Sequence, residues 1–303
     1  MPGRGNAMTT HIQLPARPPF WLTSVIQSHG WAQLAPFATD DRAAVLRYVD
    51  RLASGRVVDY RLRPEGDGVG VEVGGTLDAA EAEEVAGQVT WMLGLEQDLA
   101  PFYERARGEP RLAQVETQAR GRVLRSPTLW EDTVKTILTT NTAWGGTIRM
   151  VQALVDNYGD PLPASPDRRA FPTPERLADA DPDELQATAR LGYRAPYVVW
   201  LARSMAGGEL DLEGFKRSTV PTAELRHDLM GIRGVGSYAA ANLLLLLGRY
   251  DYLPVDSWAL RLVSRHWHDG RPVGQAEVEA AFAAWGEWKG LAYWFWEWPD
   301  AGT

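Results

Sequence analysis

The chain has 303 residues, an apolar fraction of 45% and a formal net charge of −8, so it can bury the core of one large domain or of two ordinary domains. It contains no cysteine, which excludes disulfides, thiolate catalysis, cysteine-ligated zinc and iron–sulfur clusters. Neither a long apolar run nor a secretory signal stands in the sequence, and we expect a cytoplasmic protein.

The first hundred residues predict a mixed α/β domain. Residues 1–12 are expected to form a flexible tail, and the domain itself to span 13–100. Residues 41–53 have a helical pattern. Residues 57–75 alternate like two strands that are broken by the turn sequence PEGDG. Asp78 is a candidate helix cap, and it predicts a helix over 77–95.

Helical periodicity dominates from about residue 96, and we predict a helical domain over 101–300. The fold class is therefore mainly α with an N-terminal α+β domain. The predicted helices lie near 98–107, 127–140, 146–158, 182–190, 194–206, 221–231, 237–247, 257–267 and 275–297.

The negative net charge argues against a nucleic-acid partner, but the charge is unevenly distributed. Residues 190–265 hold ten lysine or arginine residues against seven acidic ones. A locally basic face on an acidic chain is compatible with DNA binding, although it does not identify such a function.

A tight turn between two helices is the most informative segment. The sequence Gly234-Val235-Gly236 precedes an apolar helix that begins at Ser237. We expect the two glycines to adopt positive φ and to expose backbone amides, which suit a phosphate group. Val235 would pack between them against the core. Taken alone, the turn is equally typical of an ordinary corner between helices.

An aspartate stands where the next helix begins, about twenty residues after the turn. Asp256 follows Pro254 and Val255 and precedes Ser257, so it is a candidate helix cap that is fixed in place and partly desolvated. A plain structural cap is the ordinary role of such an aspartate, and the residue alone does not indicate catalysis.

Together, the turn, the apolar helix and the capping aspartate resemble the helix-hairpin-helix-Gly/Pro-Asp superfamily of DNA glycosylases. Three further segments occur in the order found in that superfamily. Residues 171–208 look like the segment before the hairpin, and LGYRA at 191–195 within it is especially similar to 8-oxoguanine DNA glycosylases. The other two, 122–159 and WGEWKGLAYWFW at 285–296, are similar to the segment that carries the DNA wedge and to the last helix of alkylpurine and 8-oxoguanine glycosylases. The resemblance implies the helix-hairpin-helix glycosylase fold with a small antiparallel sheet domain.

The resemblance also implies roles for individual residues. Asp256 would be the catalytic carboxylate. Asn141 would enter the duplex, Tyr193 would wedge beside it and Arg194 would hydrogen-bond the orphan base. Gly234, Val235, Gly236 and Ser237 would hold a phosphate near the lesion. Without the resemblance, the ordinary interpretations are favoured, with Asn141 as a helix cap, Tyr193 as a core ring and Arg194 in a surface ion pair.

No cofactor is expected, apart from a monovalent cation, Na⁺ or K⁺, that relatives bind at hairpin carbonyls, here those of Met230, Ile232 and Val235. Bifunctional relatives carry a lysine two residues after the second hairpin glycine, whereas this chain has Tyr238 there. The three lysines of the chain are Lys135, Lys216 and Lys289. We therefore expect a monofunctional hydrolase, with lyase chemistry through Lys135 as a minor alternative.

The base pocket differs from both groups of relatives. By the resemblance, Tyr293 and Glu297 fall at the positions of the last helix that contact the base in 8-oxoguanine glycosylases. Glu297 becomes a surface residue instead if the register of the helix slips by one residue. Trp144, Tyr238, Trp258 and Trp294 are candidates to stack on a flipped base. Aromatic rings favour alkylated purines, while LGYRA and TTNT favour 8-oxoguanine, and the choice stays open.

The resulting hypothesis is a monomeric DNA glycosylase of base excision repair that acts on damaged double-stranded DNA, at the nucleoid if the cell is prokaryotic. One alternative is a catalytically silent helix-hairpin-helix protein that recognises damaged DNA. A helical protein unrelated to DNA would require four ordered motifs to coincide by chance.

Overall fold

The computed structural model describes residues 9–40 and 44–297. Within them, no helix is long and apolar enough to cross a membrane. In chain order the strands and helices are β1 (Thr9–Pro15), α1 (Leu22–Ile26), β2 (Ala38–Asp40), β3 (Val45–Arg51), β4 (Val57–Glu65), β5 (Gly68–Gly74), α2 (Ala79–Leu93), α3 (Ala100–Ala106), α4 (Leu129–Thr139), α5 (Trp144–Tyr158), β6 (Pro161–Leu162), β7 (Ser165–Arg169), α6 (Pro174–Ala178), α7 (Pro182–Ala189), α8 (Ala195–Ala206), α9 (Thr222–Met230), α10 (Ser237–Leu246), α11 (Ser257–Trp267), α12 (Gln275–Phe282) and α13 (Lys289–Phe295).

A five-stranded antiparallel sheet occupies the N-terminal part, with strand order β1-β5-β4-β3-β2. Buried and partly exposed positions alternate along β4, which is typical of a strand with one face on a core. Tyr48 and Tyr60 are paired across β3 and β4 and are both buried. The predicted α+β character of this region and the mainly helical fold class are confirmed.

Helix α2 begins where the sequence predicts, because the side chain of Asp78 accepts a hydrogen bond from the backbone N–H of Glu81, while Glu81 reaches back to the N–H of Asp78. Two other predictions for this region are wrong. Residues 45–51 form β3 rather than part of a helix over 41–53, since pairing with β4 overrides the local pattern. Residues 9–12 belong to β1, which pairs with β5, rather than to a flexible tail over 1–12; residues 1–8 and 41–43 lie outside the described residues.

The chain divides into two compact units, which differ from the two predicted domains. The first unit comprises residues 1–97 and 122–210, and the second comprises 98–121 and 211–303. Helices α4 to α8 therefore belong to the unit that contains the sheet rather than to one helical domain over 101–300. Helix α4 belongs with the sheet because of a buried contact between them: Tyr48 of β3 donates a hydrogen bond to Glu131 of α4 at 2.5 Å. Helical periodicity identifies a helix without indicating what it packs against.

The second unit contains the tight turn between α9 and α10. Helix α10 is buried on most of its surface, as its nearly continuous apolar sequence predicts. The predicted helix over 275–297 is instead two helices, α12 and α13, joined by a 3-10 segment. The break lies at Gly286, whose φ of 58° and ψ of −125° are not helical.

Candidate functional site

Asp256 caps the N-terminus of α11. Its Oδ1 accepts the backbone N–H groups of Trp258 and Ala259, each at 2.9 Å, and the hydroxyl of Tyr293 at 3.4 Å. Within the described part of the chain, Oδ2 accepts no hydrogen bond. The carboxylate is therefore held rigidly through one oxygen, while the other oxygen is available to a ligand.

A cavity of about 370 Å³ opens beside Asp256 in the second unit. Its lining consists of four aromatic residues, a proline and two acids: Tyr238, Pro254, Asp256, Trp258, Tyr293, Trp294 and Glu297. The structure thus brings together five of the six residues predicted for the base pocket, all except Trp144, and places the predicted catalytic carboxylate in the same wall. A cavity of this size, apolar with a few polar groups, is typical of a site for a small flat ligand.

Two tyrosine hydroxyls of the cavity lie close to this carboxylate. Burial and the charge of Asp256 raise the pKa of Tyr293 far above its usual range, and they also raise the pKa of Tyr238. Both phenols therefore stay protonated at neutral pH. Tyr293 serves as a hydrogen-bond donor to Asp256 and also packs edge-on against Trp258, with ring centroids 5.4 Å apart.

Glu297 lies two residues after the end of α13, in the cavity wall. Its carboxylate forms ion pairs with Arg265 and with His266 when the histidine is protonated, and Arg111 lies 3.8 Å away. The side chain is 25% exposed, so it is neither a free surface residue nor a core residue. No pattern in the sequence pointed to Arg111, Arg265 or His266, because Arg111 lies more than 150 residues before the other two, which are neighbours in α11.

The turn between α9 and α10 contains the four residues that the resemblance implies would hold a phosphate. Val235 is buried and packs in the hairpin, whereas Gly236 and Ser237 are exposed. Gly234 has a φ of +87°, but the expectation of a positive φ at Gly236 is wrong. Gly236 is the N-cap of α10, with an extended φ of −89°, which is the ordinary conformation of a cap. Ser237 accepts a hydrogen bond from Arg226 at 2.7 Å.

A Cβ atom added to Gly236 would meet no heavy atom within 4 Å. Neither backbone strain nor internal packing therefore requires glycine at this position. A glycine without an internal reason, at the exposed start of a helix, leaves room for another molecule to approach the backbone amides.

The backbone carbonyls of Met230, Ile232 and Val235 are the predicted ligands of a monovalent cation. The Ile232 carbonyl accepts the N–H of Val235 at 3.0 Å and retains a second lone pair. Neutral carbonyl oxygens fit a weakly polarising ion such as Na⁺ or K⁺. No group of three or more His, Cys, Asp or Glu side chains that could hold a metal occurs among the described residues.

Two predicted DNA contacts lie together in the first unit, between α4 and α5 and before α8. Asn141 is exposed and has a φ of +48°, a left-handed conformation that asparagine tolerates better than most residues. Its side-chain amide donates a hydrogen bond to the hydroxyl of Tyr193 at 3.1 Å. Tyr193 is 51% exposed, so the interpretation of this ring as a core residue is wrong.

Arg194 is buried in this structure, whereas the resemblance implies that its side chain hydrogen-bonds the orphan base. Its side chain is buried and donates hydrogen bonds to the carbonyls of Thr140 and Leu191. The guanidinium also stacks on Tyr193, 4.5 Å from the ring centroid. Arg194 therefore supports the loop that carries Asn141, and it is not a surface ion pair.

Trp144 and Lys135 also belong to the first unit. The Trp144 indole donates a hydrogen bond to Gln33 at 3.0 Å and covers Gly30, where a Cβ atom would clash with the ring at 2.1 Å. This packing explains the tryptophan without a role in base stacking. Lys135 is completely buried and forms an ion pair with Glu131 at 2.6 Å. The amine of Lys135 is therefore enclosed and already paired with an acid.

The sequence of the chain is similar to those of base excision DNA repair proteins. The sequence model described as HhH-GPD superfamily base excision DNA repair protein matches residues 134–287, which is about half of the chain. A curated DNA-3-methyladenine glycosylase from Bacillus subtilis (strain 168) is 27% identical over 214 residues, covering 69% of this chain and 70% of that protein.

Solved structures with the same fold come from two kinds of protein. A 3-methyladenine DNA glycosylase from Archaeoglobus fulgidus matches with a TM-score of 0.73 and 21% identity, covering 95% of this chain and 97% of the other. An 8-oxoguanine glycosylase/lyase from Clostridium acetobutylicum matches with a TM-score of 0.70 and 19% identity, covering 92% and 93%. At these identities the matches establish the fold alone.

Proposed function

Because the chain belongs to the HhH-GPD superfamily of base excision DNA repair proteins, we propose that it is a DNA glycosylase that hydrolyses the N-glycosidic bond of a damaged purine. The observation that carries this proposal is the aromatic cavity with Asp256 in its wall. A base inside a duplex is unreachable, so the enzyme has to flip the nucleotide into such a cavity. The volume of about 370 Å³ is ample for a purine ring.

The geometry of Asp256 suits the chemistry of base release. Positive charge develops on the sugar as the base leaves, and a fixed carboxylate stabilises that charge without having to reorganise. Three donors hold Oδ1 in place. We propose that Oδ2 faces the sugar and orients the water that attacks C1′, accepting one of its protons as the new C–O bond forms.

We propose that the enzyme is monofunctional and leaves an abasic site. Tyr238 lines the cavity at the position where the bifunctional relatives carry a lysine, and its protonated phenol is a poor nucleophile. Of the three lysines, Lys135 is buried in an ion pair, and Lys216 is paired with Glu213 at 2.5 Å. Lys289 lies over the ring of Tyr252 at 5.5 Å.

The partner that we propose is damaged double-stranded DNA, bound by a monomer in the cytoplasm or at the nucleoid. In the second unit, the exposed amides at Gly236 and Ser237 would hold a phosphate. A Na⁺ or K⁺ ion held by the carbonyls of Met230, Ile232 and Val235 would supply positive charge beside it. In the first unit, Asn141 and Tyr193 would fill the gap that the flipped base leaves.

A panel of duplexes tests this function. Oligonucleotides that carry 8-oxoguanine, 3-methyladenine, hypoxanthine or uracil are incubated with the protein and then cleaved with alkali at abasic sites. We expect strand cleavage for at least one purine lesion after alkali treatment and none before it. Cleavage without alkali would contradict the monofunctional assignment. Tight binding to every lesion duplex without any release would instead indicate the silent DNA-binding protein.

The open space at Gly236 leads to a prediction about DNA binding. We expect Gly236→Ala to weaken binding to duplex DNA by about tenfold, because the added methyl group stands where the phosphate approaches the helix amides. The free energy of unfolding should change by no more than about 1 kcal/mol, since the φ of this residue suits alanine. Fluorescence anisotropy with a labelled duplex and urea denaturation measure the two effects.

Gly87→Ala is the matched control, because a Cβ atom there also meets nothing within 4 Å and the residue lies in α2, far along the chain from the turn. This variant should bind DNA like the wild type. Equal affinities of Gly236→Ala and Gly87→Ala would rule out a phosphate at the start of α10.

A further inference from the structure

The charged residues that line the cavity beside Asp256 are all acidic. Two of its seven lining residues, Asp256 and Glu297, are acidic, four are aromatic, and none is lysine, arginine or histidine. Aromatic rings present their negative faces to a molecule stacked on them, so they add to the negative potential of the two carboxylates. The lining therefore stabilises a positively charged occupant more than a neutral one.

Glu297 is held in this wall as a carboxylate by groups that lie outside the lining. Arg265 and His266 contact its two oxygens, and Arg111 stands 3.8 Å from Oε1. The side chains of Arg265 and Arg111 are 62% and 43% exposed, so water screens their charges. The cavity side of Glu297 faces aromatic rings, where a charge is screened much less. The two arginines therefore position the carboxylate, and His266, whose side chain is only 14% exposed, adds no opposing charge while it is neutral.

We propose that Glu297 is a specificity-determining residue whose carboxylate favours a flipped purine that carries a positive charge over a neutral one. This inference rests on the proposed function. Alkylation of a ring nitrogen, as in 7-methylguanine, leaves the base of a nucleotide cationic, whereas hypoxanthine and 8-oxoguanine are neutral. A cationic base can stack between the rings of the cavity and pair with Glu297, while a neutral base gains only the stacking.

The charge of the base changes during the reaction, which separates the role of Glu297 from that of Asp256. As the glycosidic bond of a cationic purine breaks, the bonding electron pair moves onto the base, the base becomes neutral and positive charge appears on the sugar. Glu297 therefore stabilises the bound substrate at least as much as the transition state, and it acts on binding of the flipped base. Asp256 faces the sugar, and it acts on the barrier.

The test is Glu297→Gln in single-turnover base release from duplexes that carry 7-methylguanine or hypoxanthine. For 7-methylguanine, we expect the enzyme concentration that gives half the maximal rate to rise about tenfold or more, while the maximal rate stays within about threefold of the wild-type value. For hypoxanthine, both quantities should stay close to wild type. Loss of folded protein cannot mimic this result, because it would affect the two substrates equally.

Glu287→Gln is the control variant, since this acid is exposed in the 3-10 segment just before α13 and should leave both substrates unaffected. Equal losses for the two duplexes in Glu297→Gln, or faster wild-type release of neutral bases than of 7-methylguanine, would overturn the inference. Release of no base by the wild type would contradict the proposed function instead. The relative affinities of the two enzyme–duplex complexes, with and without Glu297→Gln, would then still decide the role of the carboxylate.

Discussion

Asp256→Asn is expected to release base from a lesion-bearing duplex at least about a hundredfold more slowly than the wild type. The amide has almost the shape of the carboxylate, but it carries no charge to stabilise the developing positive sugar. Asparagine also caps helices well, and its oxygen can still accept the N–H groups of Trp258 and Ala259. The effect should therefore appear in the single-turnover rate and not in the free energy of unfolding. Affinity for DNA should be retained or raised, because one negative charge is removed.

Asp181→Asn is a matched control, since Asp181 caps α7 in the same way, with its side chain accepting the N–H of Asp183. It should release base at the wild-type rate. If Asp256→Asn also kept the wild-type rate, Asp256 would be a structural cap, and the catalytic group would have to be sought elsewhere.

Lys135→Met should lower the free energy of unfolding by about 3–5 kcal/mol, more than any other single substitution proposed for this protein. The lysine is completely buried, and Glu131 at 2.6 Å is the partner that compensates its charge. Methionine fills a similar volume, but it leaves the carboxylate of Glu131 buried without a cation. A loss of this size is a large fraction of the total stability of an ordinary domain. Urea denaturation followed by tryptophan fluorescence measures it.

A second substitution tests the cause of that loss. Glu131→Gln in the Lys135→Met background removes the unpaired charge and keeps an oxygen that can accept the hydroxyl of Tyr48. We expect the double variant to recover most of the lost stability. Lys216→Met, which breaks the ion pair between Lys216 and Glu213, should cost about 1 kcal/mol or less. A double variant that is as unstable as Lys135→Met alone would show that packing, not charge, explains the loss.

The burial of Lys135 also limits the chemistry of the enzyme. An amine nucleophile has to reach C1′ of the sugar in its uncharged form. Lys135 is instead enclosed, with its ammonium group 4.7 Å from the ring centroid of Phe37 and paired with an acid. Borohydride trapping of the wild type on an abasic duplex should accordingly give no covalent adduct through this residue.

Features that depend on neighbouring residues could be predicted from the sequence. The caps of α2 and α11, at Asp78 and Asp256, need only backbone amides two or three residues further along the chain. The turn at Gly234 and the buried helix α10 likewise follow from local composition. These local motifs, in their order along the chain, were sufficient to indicate the family, which the match over residues 134–287 confirmed.

Features that depend on distant residues were decided by the tertiary structure. Residues 45–51 form a strand because β4 is there to pair with them, although their own pattern predicted a helix. Arg194 is buried because the carbonyl of Thr140, 54 residues earlier, accepts its hydrogen bond. Neither partner can be identified from a window of ten or twenty residues, because chain separation and spatial distance are unrelated in a folded core.

The same contrast applies to the cavity. The sequence by itself determined that an aspartate starts a helix after the hairpin and that aromatic residues cluster near the C-terminus. The resemblance indicated Tyr238, Trp258 and Tyr293 as pocket candidates, and the tertiary structure decided that they share one cavity with that aspartate. It also decided that Glu297 lines this cavity while held by Arg111 and Arg265. Backbone hydrogen bonds over a few residues fix a cap, whereas a cavity forms where separate helices fail to fill the space between them, and that depends on how the whole unit packs.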